Sequence, residues 1–291
     1  MQLGKLWLFI NDCAQYVLYL RSRHISNKRW GKCYFPYREK EETSQVNILA
    51  NGPSLSKELK NVLTHKNRAN AVCNFAAFSD YFQEIKPSFY FLADPAFFEK
   101  VTSDDRIKKL ISLLNEQVDW DLVLVVPING YKIAQHYITN RYLSIVPVPV
   151  VQFCGNTTKR MELIKEGKSA PSFVNVTIFM EYYFLNMGYK KIYLYGVDHT
   201  FFDNMFVNNK NEICIDDNHF YGKEPIVIKR YKSDGVRWKL SDWLRDKYLT
   251  FLEHERMQEY AEYVGAEIIN CTESSLIDAY PRLSQFEGVN N

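Results

Sequence analysis

Beyond residue 45 the chain alternates short apolar runs with longer stretches of helical period. Residues 46–50, 71–73, 88–92, 122–126, 142–146, 191–195 and 267–270 are brief aliphatic and aromatic runs, and each predicts a strand. Residues 54–63, 106–115, 173–185 and 243–264 have the length and spacing of helices. The segment 173–185 is apolar on nearly every side, which predicts a buried helix. The segment 243–264 meets Gly265, a residue suited to a helix end. Pro147 is expected to stop the strand over 142–146. Strands that are apolar throughout belong to parallel sheets covered on both faces. The expected fold is therefore α/β, a mostly parallel sheet with helices on both faces.

Two stretches break this rhythm. Residues 200–239 are polar and aromatic without a clear period, and they follow a strand end. A long irregular insertion there predicts an active-site lid, with Phe206 and Tyr221 among its aromatic residues. The other stretch is residues 1–40. Residues 6–20 are largely apolar but carry Asn11, Asp12 and Gln15, so they are too short and too polar to span a bilayer. Arg21, Arg23, Lys28, Arg29 and Lys32 follow. An apolar amphipathic helix leading into a basic cluster suits an anionic membrane surface, with residues 5–32 as the contact. The same pattern also fits a helix docked on this protein's own domain or on a partner subunit. The expected organisation is a membrane-associating or docking segment over 1–40 and one domain over 41–291, with the lid at about 200–239.

Composition narrows this picture. The 291 residues are 46% hydrophobic and 24% charged, which is a globular balance. A net charge of +2 argues against a dedicated nucleic-acid partner. The six cysteines are widely spaced and form no C-x-x-C pair. They are expected to be free thiols of a reducing compartment, not a disulfide framework or a zinc site. With the N-terminal segment, this places the chain in the cytoplasm, peripheral on the inner face of the cell membrane.

In open α/β sheets the ligand sits beyond the carboxyl ends of the strands. Those ends offer Asn51, Gly52, Pro53 and Ser54, then Asn74, Asp94, Gly196 with Asp198, and finally Thr272, Ser274 and Ser275. Most are neutral groups that both donate and accept hydrogen bonds, a set that suits a nucleotide or a sugar better than a bare metal. In Asn51-Gly52-Pro53-Ser54, glycine permits close backbone approach, proline fits a first helical turn and serine can cap it. Such a helix start welcomes a phosphate, although an ordinary turn has the same residues. There is no G-x-G-x-x-G, no P-loop lysine and no G-x-S-x-G elbow. Among the histidines, His199 follows strand-end Asp198 and His219 lies in the lid, so either could serve as general base. His24 and His254 read as structural. No metal site is expected: Asp119-Trp120-Asp121 precedes a strand, and Asp216-Asp217 with His219 lacks a third fixed ligand.

Six segments occur in order: ILANGPSL, CNFAAF, DPAFFEK, NMGYKKIYLYGVD, DNHFYG and INCTESSLIDAY. Over about residues 46–280 they resemble the bacterial sialyltransferases of glycosyltransferase family 42. They also resemble the wider group sharing the N-G-P-S-L turn, which includes hydroxymethylpterin pyrophosphokinase-like proteins. The resemblance implies a single Rossmann-like domain with a lid, and an inverting, metal-independent transfer from a CMP-activated sugar acid without a cofactor. It places Asn51 near the donor phosphate and ribose, Asn74 on the next strand end, and Asp94 where the family has asparagine. The lid base falls on His219. Asn175 and Thr177 stand in the neighbourhood of a threonine-serine-glycine that is not reproduced. Two lid tyrosines align near Thr200 and Phe206. The expected partners are a nucleotide-sugar donor and a glycan or lipid-linked acceptor of bacterial surface polysaccharide or lipooligosaccharide synthesis, with homo-oligomerisation open. The alternatives are a magnesium-dependent pyrophosphokinase-type phosphotransferase, using Asp94, Asp198 or Asp216, and a non-catalytic assembly protein of the same fold.

Overall fold

The structure is a computed structural model that describes residues 2–65, 67–203, 205–215, 226–228, 230–231 and 235–283, with side chains from Ile10 onward except that of Ile226. The helices are α1 (Gln2–Trp30), α2 (Leu55–Thr64), α3 (Tyr81–Ile85), α4 (Ala96–Glu99), α5 (Asp105–Gln117), α6 (Ile128–Tyr137), α7 (Thr157–Lys165), α8 (Val176–Asn186) and α9 (Leu240–Val264). Strands β1 (Gln45–Leu49), β2 (Ala69–Cys73), β3 (Phe89–Phe91), β4 (Leu122–Pro127), β5 (Leu143–Val148) and β6 (Lys191–Tyr195) belong to the main sheet. The insertion contributes β7 (Met205–Val207), β8 (Ile213–Ile215) and β9 (Ile226–Val227), a small antiparallel sheet of its own. The last strand, β10 (Glu267–Asn270), returns to the main sheet.

The seven main strands lie in the order β10-β6-β1-β2-β3-β4-β5, and every pairing is parallel. The fold is the Rossmann-like α/β arrangement expected. From β1 to β5 the chain steps steadily to one side. It then returns through α7 and α8 to lay β6 on the other side of β1. The strand order therefore reverses between β1 and β6, and a crevice opens outside the carboxyl ends at such a switch point.

Successive strand residues point to opposite faces, and both faces are buried. Ile48, Ala71, Phe91, Val125, Leu194 and Ile268 pack under α8 and α9. Leu49, Val72, Tyr90, Leu124, Tyr195 and Ile269 pack with α2 and α5 on the other face. Helix α8 is covered on all sides, as its apolar sequence predicts, yet it carries Glu181 with no exposure at all.

Several elements differ from the sequence reading. Strand β5 runs through Pro147 to Val148. It is the sheet edge, so the missing proline N–H breaks no ladder. Helix α6 starts directly from β4 at Pro127, with no polar break to announce it. Helix α7 starts at Asn156, whose side chain accepts from Lys159 N, a cap signal that was legible in the sequence.

Helix α1 docks on the domain through one face. Tyr19 is buried against Phe153 and Leu163, and its hydroxyl donates to Lys168 O at 2.9 Å. The Asp12 carboxylate accepts from the backbone and side-chain nitrogens of Asn156, both at 3.1 Å. Ile10, Val17, Leu18, Leu20 and Ile25 stay exposed. Among the described residues no helix is long and apolar enough to cross a membrane.

Candidate functional site

The site grows from the ends of β1, β2, β3 and β6. After β1 the chain turns at Gly52, whose N–H donates to Gly196 O at 2.8 Å. A Cβ on Gly52 would stand 1.8 Å from Asp198 Oδ2 and 2.4 Å from Gly196 O, so only glycine fits. The close approach that this glycine permits is to the β6 end. Gly196 itself has a positive φ of 65°, and a Cβ there would meet Leu55.

Ser54 holds the N-cap position of α2, but it does not cap the helix with its own side chain. The cap is Asp198. Its Oδ1 accepts from Ser54 N at 3.2 Å and its Oδ2 from Ser54 Oγ at 2.9 Å. The helix start expected to welcome a phosphate is thus filled by the protein's own carboxylate. Glu58, one turn further, is buried and accepts from Gly196 N at 2.8 Å. Burial raises its pKa, while the Gly196 and Ser54 hydrogen bonds pull it back.

The open chemistry lies on the β1–β3 side. A cavity of about 670 Å³ is lined by Asn51, Asn74, Phe75, Asp94 and Arg106, with Phe78, Ser79 and Phe97 completing the wall. A second hollow of about 740 Å³ continues past Asn51 over Gly52 and Pro53 to Tyr81. Asn51 Nδ2 donates to Cys73 O at 3.3 Å and to Cys73 Sγ at 3.7 Å, and its Oδ1 forms no hydrogen bond with a described residue. Asn74 adopts a left-handed conformation, φ 53°, which is one that asparagine tolerates. Its backbone is pinned by Phe91 O at 3.0 Å and Tyr90 Oη at 2.6 Å. Asp94 uses Oδ1 to accept from Ala96 N at 2.8 Å. Its Oδ2 forms no hydrogen bond with a described residue.

The sequence reading did not single out Arg106, Phe75 or Phe78. The Arg106 guanidinium lies 3.9 Å from the centroid of Phe75, and Phe75 stacks on Phe78 at 5.4 Å. The guanidinium has no ion pair or hydrogen bond with a described residue. A cation over an aromatic ledge suits a phosphate, a carboxylate or a stacked base. The available signal was Asp104, whose carboxylate accepts from Arg106 N at 2.9 Å and starts α5, turning Arg106 into the first helical turn.

Beside the switch point lies a second constellation. Asn175 caps α8, its Oδ1 accepting from Ile178 N at 2.9 Å. Its Nδ2 stands 3.2 Å from His199 Nε2, which is 3.0 Å from His254 Nε2. His254 Nδ1 lies 3.0 Å from Tyr280 Oη and 3.3 Å from Glu181 Oε1. The Tyr280 hydroxyl donates to Glu181 Oε2 at 2.8 Å. Glu181 and His254 are fully buried. Burial, then the neighbouring His254 and Lys247, push the His199 pKa down to about 2. His254, read as structural from sequence, is thus tied to the strand-end His199. The sequence signal was a glutamate inside an otherwise apolar helix.

The remaining predicted residues are mostly framework. Thr272 Oγ1 accepts from Val197 N at 3.0 Å, and Ser275 Oγ donates to Val197 O at 2.6 Å, so both hold the β6 loop. Thr177 is buried in the first turn of α8. Pro53 lines the second hollow. Ser274 is exposed, Thr200 is half-buried at the start of the insertion, and Phe206 is exposed on β7. His219, Tyr221 and Asp216 lie outside the described residues. Among the described residues, no group of three His, Cys, Asp or Glu is placed to hold a metal ion. All six cysteines are free thiols.

Fold and cleft together define an open α/β protein with a polar cleft at the strand ends. No protein-family model matches the chain, and no curated protein matches it. Among solved structures it is similar to the MAf glycosyltransferase from Magnetospirillum magneticum AMB-1, with 12% sequence identity and a TM-score of 0.48. The match covers 90% of this chain and 37% of that one, so this chain spans little more than a third of that protein's length.

Proposed function

We propose that the chain is a glycosyltransferase that holds a nucleotide-sugar donor in the cleft at the ends of β1, β2 and β3. The observation that carries this is the lining of that cleft: the Asn51 carbonyl and the Asn74 amide, a half-used Asp94 carboxylate, and Arg106 on an aromatic ledge with no ion pair to a described residue. Amides fit the edges of a base or sugar. A free carboxylate oxygen fits ribose hydroxyls. A guanidinium fits a phosphate or the carboxylate of a sugar acid by paired hydrogen bonds. With Asp198 filling the α2 start, the donor's negative charge goes to Arg106 and not to the Ser54 turn.

The favoured donor is CMP-sialic acid or another CMP-activated sugar acid, and the favoured reaction is an inverting, metal-independent transfer. In that reaction a general base takes the acceptor hydroxyl proton as the nucleoside phosphate leaves. His219, carried by the lid, fills this role in the family 42 resemblance. His199 suits it poorly, because its basicity is suppressed by burial.

The acceptor side fits a lipid-linked glycan. The exposed aliphatics of α1, followed by its basic end, would rest on an anionic bilayer while Tyr19 and Asp12 hold the helix to the domain. The second reading, a magnesium-dependent phosphotransferase, loses Asp198 as a metal ligand because both its oxygens are engaged by Ser54. Asp94 stays available to it.

The test is thermal shift with CMP, CDP, UDP, GDP and ATP, then transfer assays with the matching sugars in EDTA. Stabilisation by a cytidine nucleotide with transfer in EDTA supports the reading. Stabilisation by ATP alone, with activity only in magnesium, would replace it with the phosphotransferase. Wild-type transfer by His219→Ala would remove the base assignment.

A further inference from the structure

We infer that Glu181 and His254 form a buried lock on His199, fixing its proton on Nδ1 so that it meets the ligand as a hydrogen-bond donor. The lock stands on hydrogen-bond accounting alone. The donor role rests on the proposed function.

The accounting starts at Asn175. Its Oδ1 is committed to Ile178 N at the start of α8, so the amide cannot flip. Its Nδ2 therefore presents N–H groups to His199 Nε2 at 3.2 Å. A proton on that ring nitrogen would set donor against donor. Nε2 of His199 must then carry its lone pair, shared by two donors: Asn175 Nδ2 and, at 3.0 Å, His254 Nε2, which holds the proton between the two rings.

The far end agrees. The Tyr280 hydroxyl gives its proton to Glu181 Oε2, which leaves its oxygen to accept from His254 Nδ1 at 3.0 Å. One proton is shared between His254 Nδ1 and the Glu181 carboxyl group. Glu181 Oε1 is buried without a hydrogen bond and lies 3.3 Å from His254 Nδ1. A buried charge must be paired, and this pair is fully enclosed. Were the proton on Glu181 instead, His254 Nε2 would still donate to His199. Either placement leaves the same tautomer.

A neutral imidazole with its lone pair on Nε2 carries its hydrogen on Nδ1. That nitrogen forms no hydrogen bond with a described residue. His199 directly follows Asp198, at the end of β6, where the strand order reverses beside β1. Its positive φ of 53° is costly for a histidine, which suits a residue held in place for a task. The suppressed pKa keeps the ring neutral through the physiological range. His199 is therefore suited to donate to an acceptor oxygen of the ligand without itself taking up a proton. Glu181 and His254 are positioning residues.

The test reads the rings directly. Long-range ¹H–¹⁵N spectra of the full chain at pH 7, with His199 signals assigned by their loss in His199→Asn, need no ligand. The expected result is a pyridine-type Nε2 and a protonated Nδ1 for His199. A protonated Nε2 on His199 would overturn the lock. Calorimetry with CMP then tests the donor role. His199→Ala should bind at least tenfold more weakly, the cost of one hydrogen bond to a charged group. His199→Asn, whose amide nitrogen sits near the Nδ1 position, should bind within about threefold of wild type if that one bond is what matters. Equal binding by wild type and His199→Ala would overturn the donor role. Failure of the wild-type chain to bind any nucleotide would remove that role together with the proposed function, and the ring signals would still judge the lock.

Discussion

Asp198 closes the N-terminus of α2 by accepting from both the backbone N–H and the hydroxyl of Ser54, at 3.2 and 2.9 Å. The bond ties the end of β6 to the end of β1 across the point where the strand order reverses. It seats an internal anion where a turn of this sequence invites a phosphate. An anion in the cleft would therefore be met elsewhere, and Arg106 on the cleft wall has no ion pair with a described residue.

Removing the tie should destabilise the fold. Asp198→Ala leaves two donors of the half-buried Ser54 without their acceptor, at a cost of about 1–2 kcal/mol. Asp198→Asn keeps one acceptor and should lose about half as much. Gly52→Ala drives a methyl into the same carboxylate and should cost about 3 kcal/mol. Urea unfolding midpoints check all three. An Asp198→Ala midpoint equal to wild type would mean that the contact adds nothing.

Arg106→Ala should act on binding alone. The residue is exposed and makes no ion pair with a described residue, so the melting temperature should move by about a degree or less. Affinity for a cytidine nucleotide should fall about tenfold or more, and Arg106→Lys should recover only part of it, because an ammonium lacks the paired donors. Unchanged affinity in Arg106→Ala would move the phosphate site elsewhere.

Acid should weaken the protein through His199. Its folded pKa is about 2 against 6.5 when unperturbed, so between those values the unfolded chain binds the extra proton. Stability from this group is complete above about pH 6.5 and is lost progressively as pH falls towards 2. The urea midpoint of the wild type should drop from pH 7 to pH 5 more steeply than that of His199→Asn. Parallel slopes would assign the acid sensitivity to other groups.

Helix α1 should bind vesicles through its outer face. Val17→Glu, at a position 64% exposed, should leave the melting temperature within about a degree and abolish flotation with anionic vesicles. Tyr19→Ala should do the reverse: it empties the contact with Phe153 and Leu163 and costs stability. Flotation of Val17→Glu at the wild-type level would make α1 a docking helix only.

The sequence by itself determined the layers. Short runs apolar on both faces predict parallel strands between helices, so the α/β class was legible along the chain, and so were the strand ends that bring Asn51, Asn74 and Asp94 to one cleft. It also showed the buried character of α8, because eleven residues with a single charge have no polar face to offer water. Tertiary structure alone decided which strand ends become neighbours. Ser54 and Asp198 are 144 residues apart, and only the placement of β6 beside β1 makes one the cap of the other. Glu181, His199, His254 and Tyr280 come from four separate segments, and no local period links them. Hydrogen-bond partners over such distances are chosen by packing, which the order of polar and apolar residues constrains only through the elements it builds.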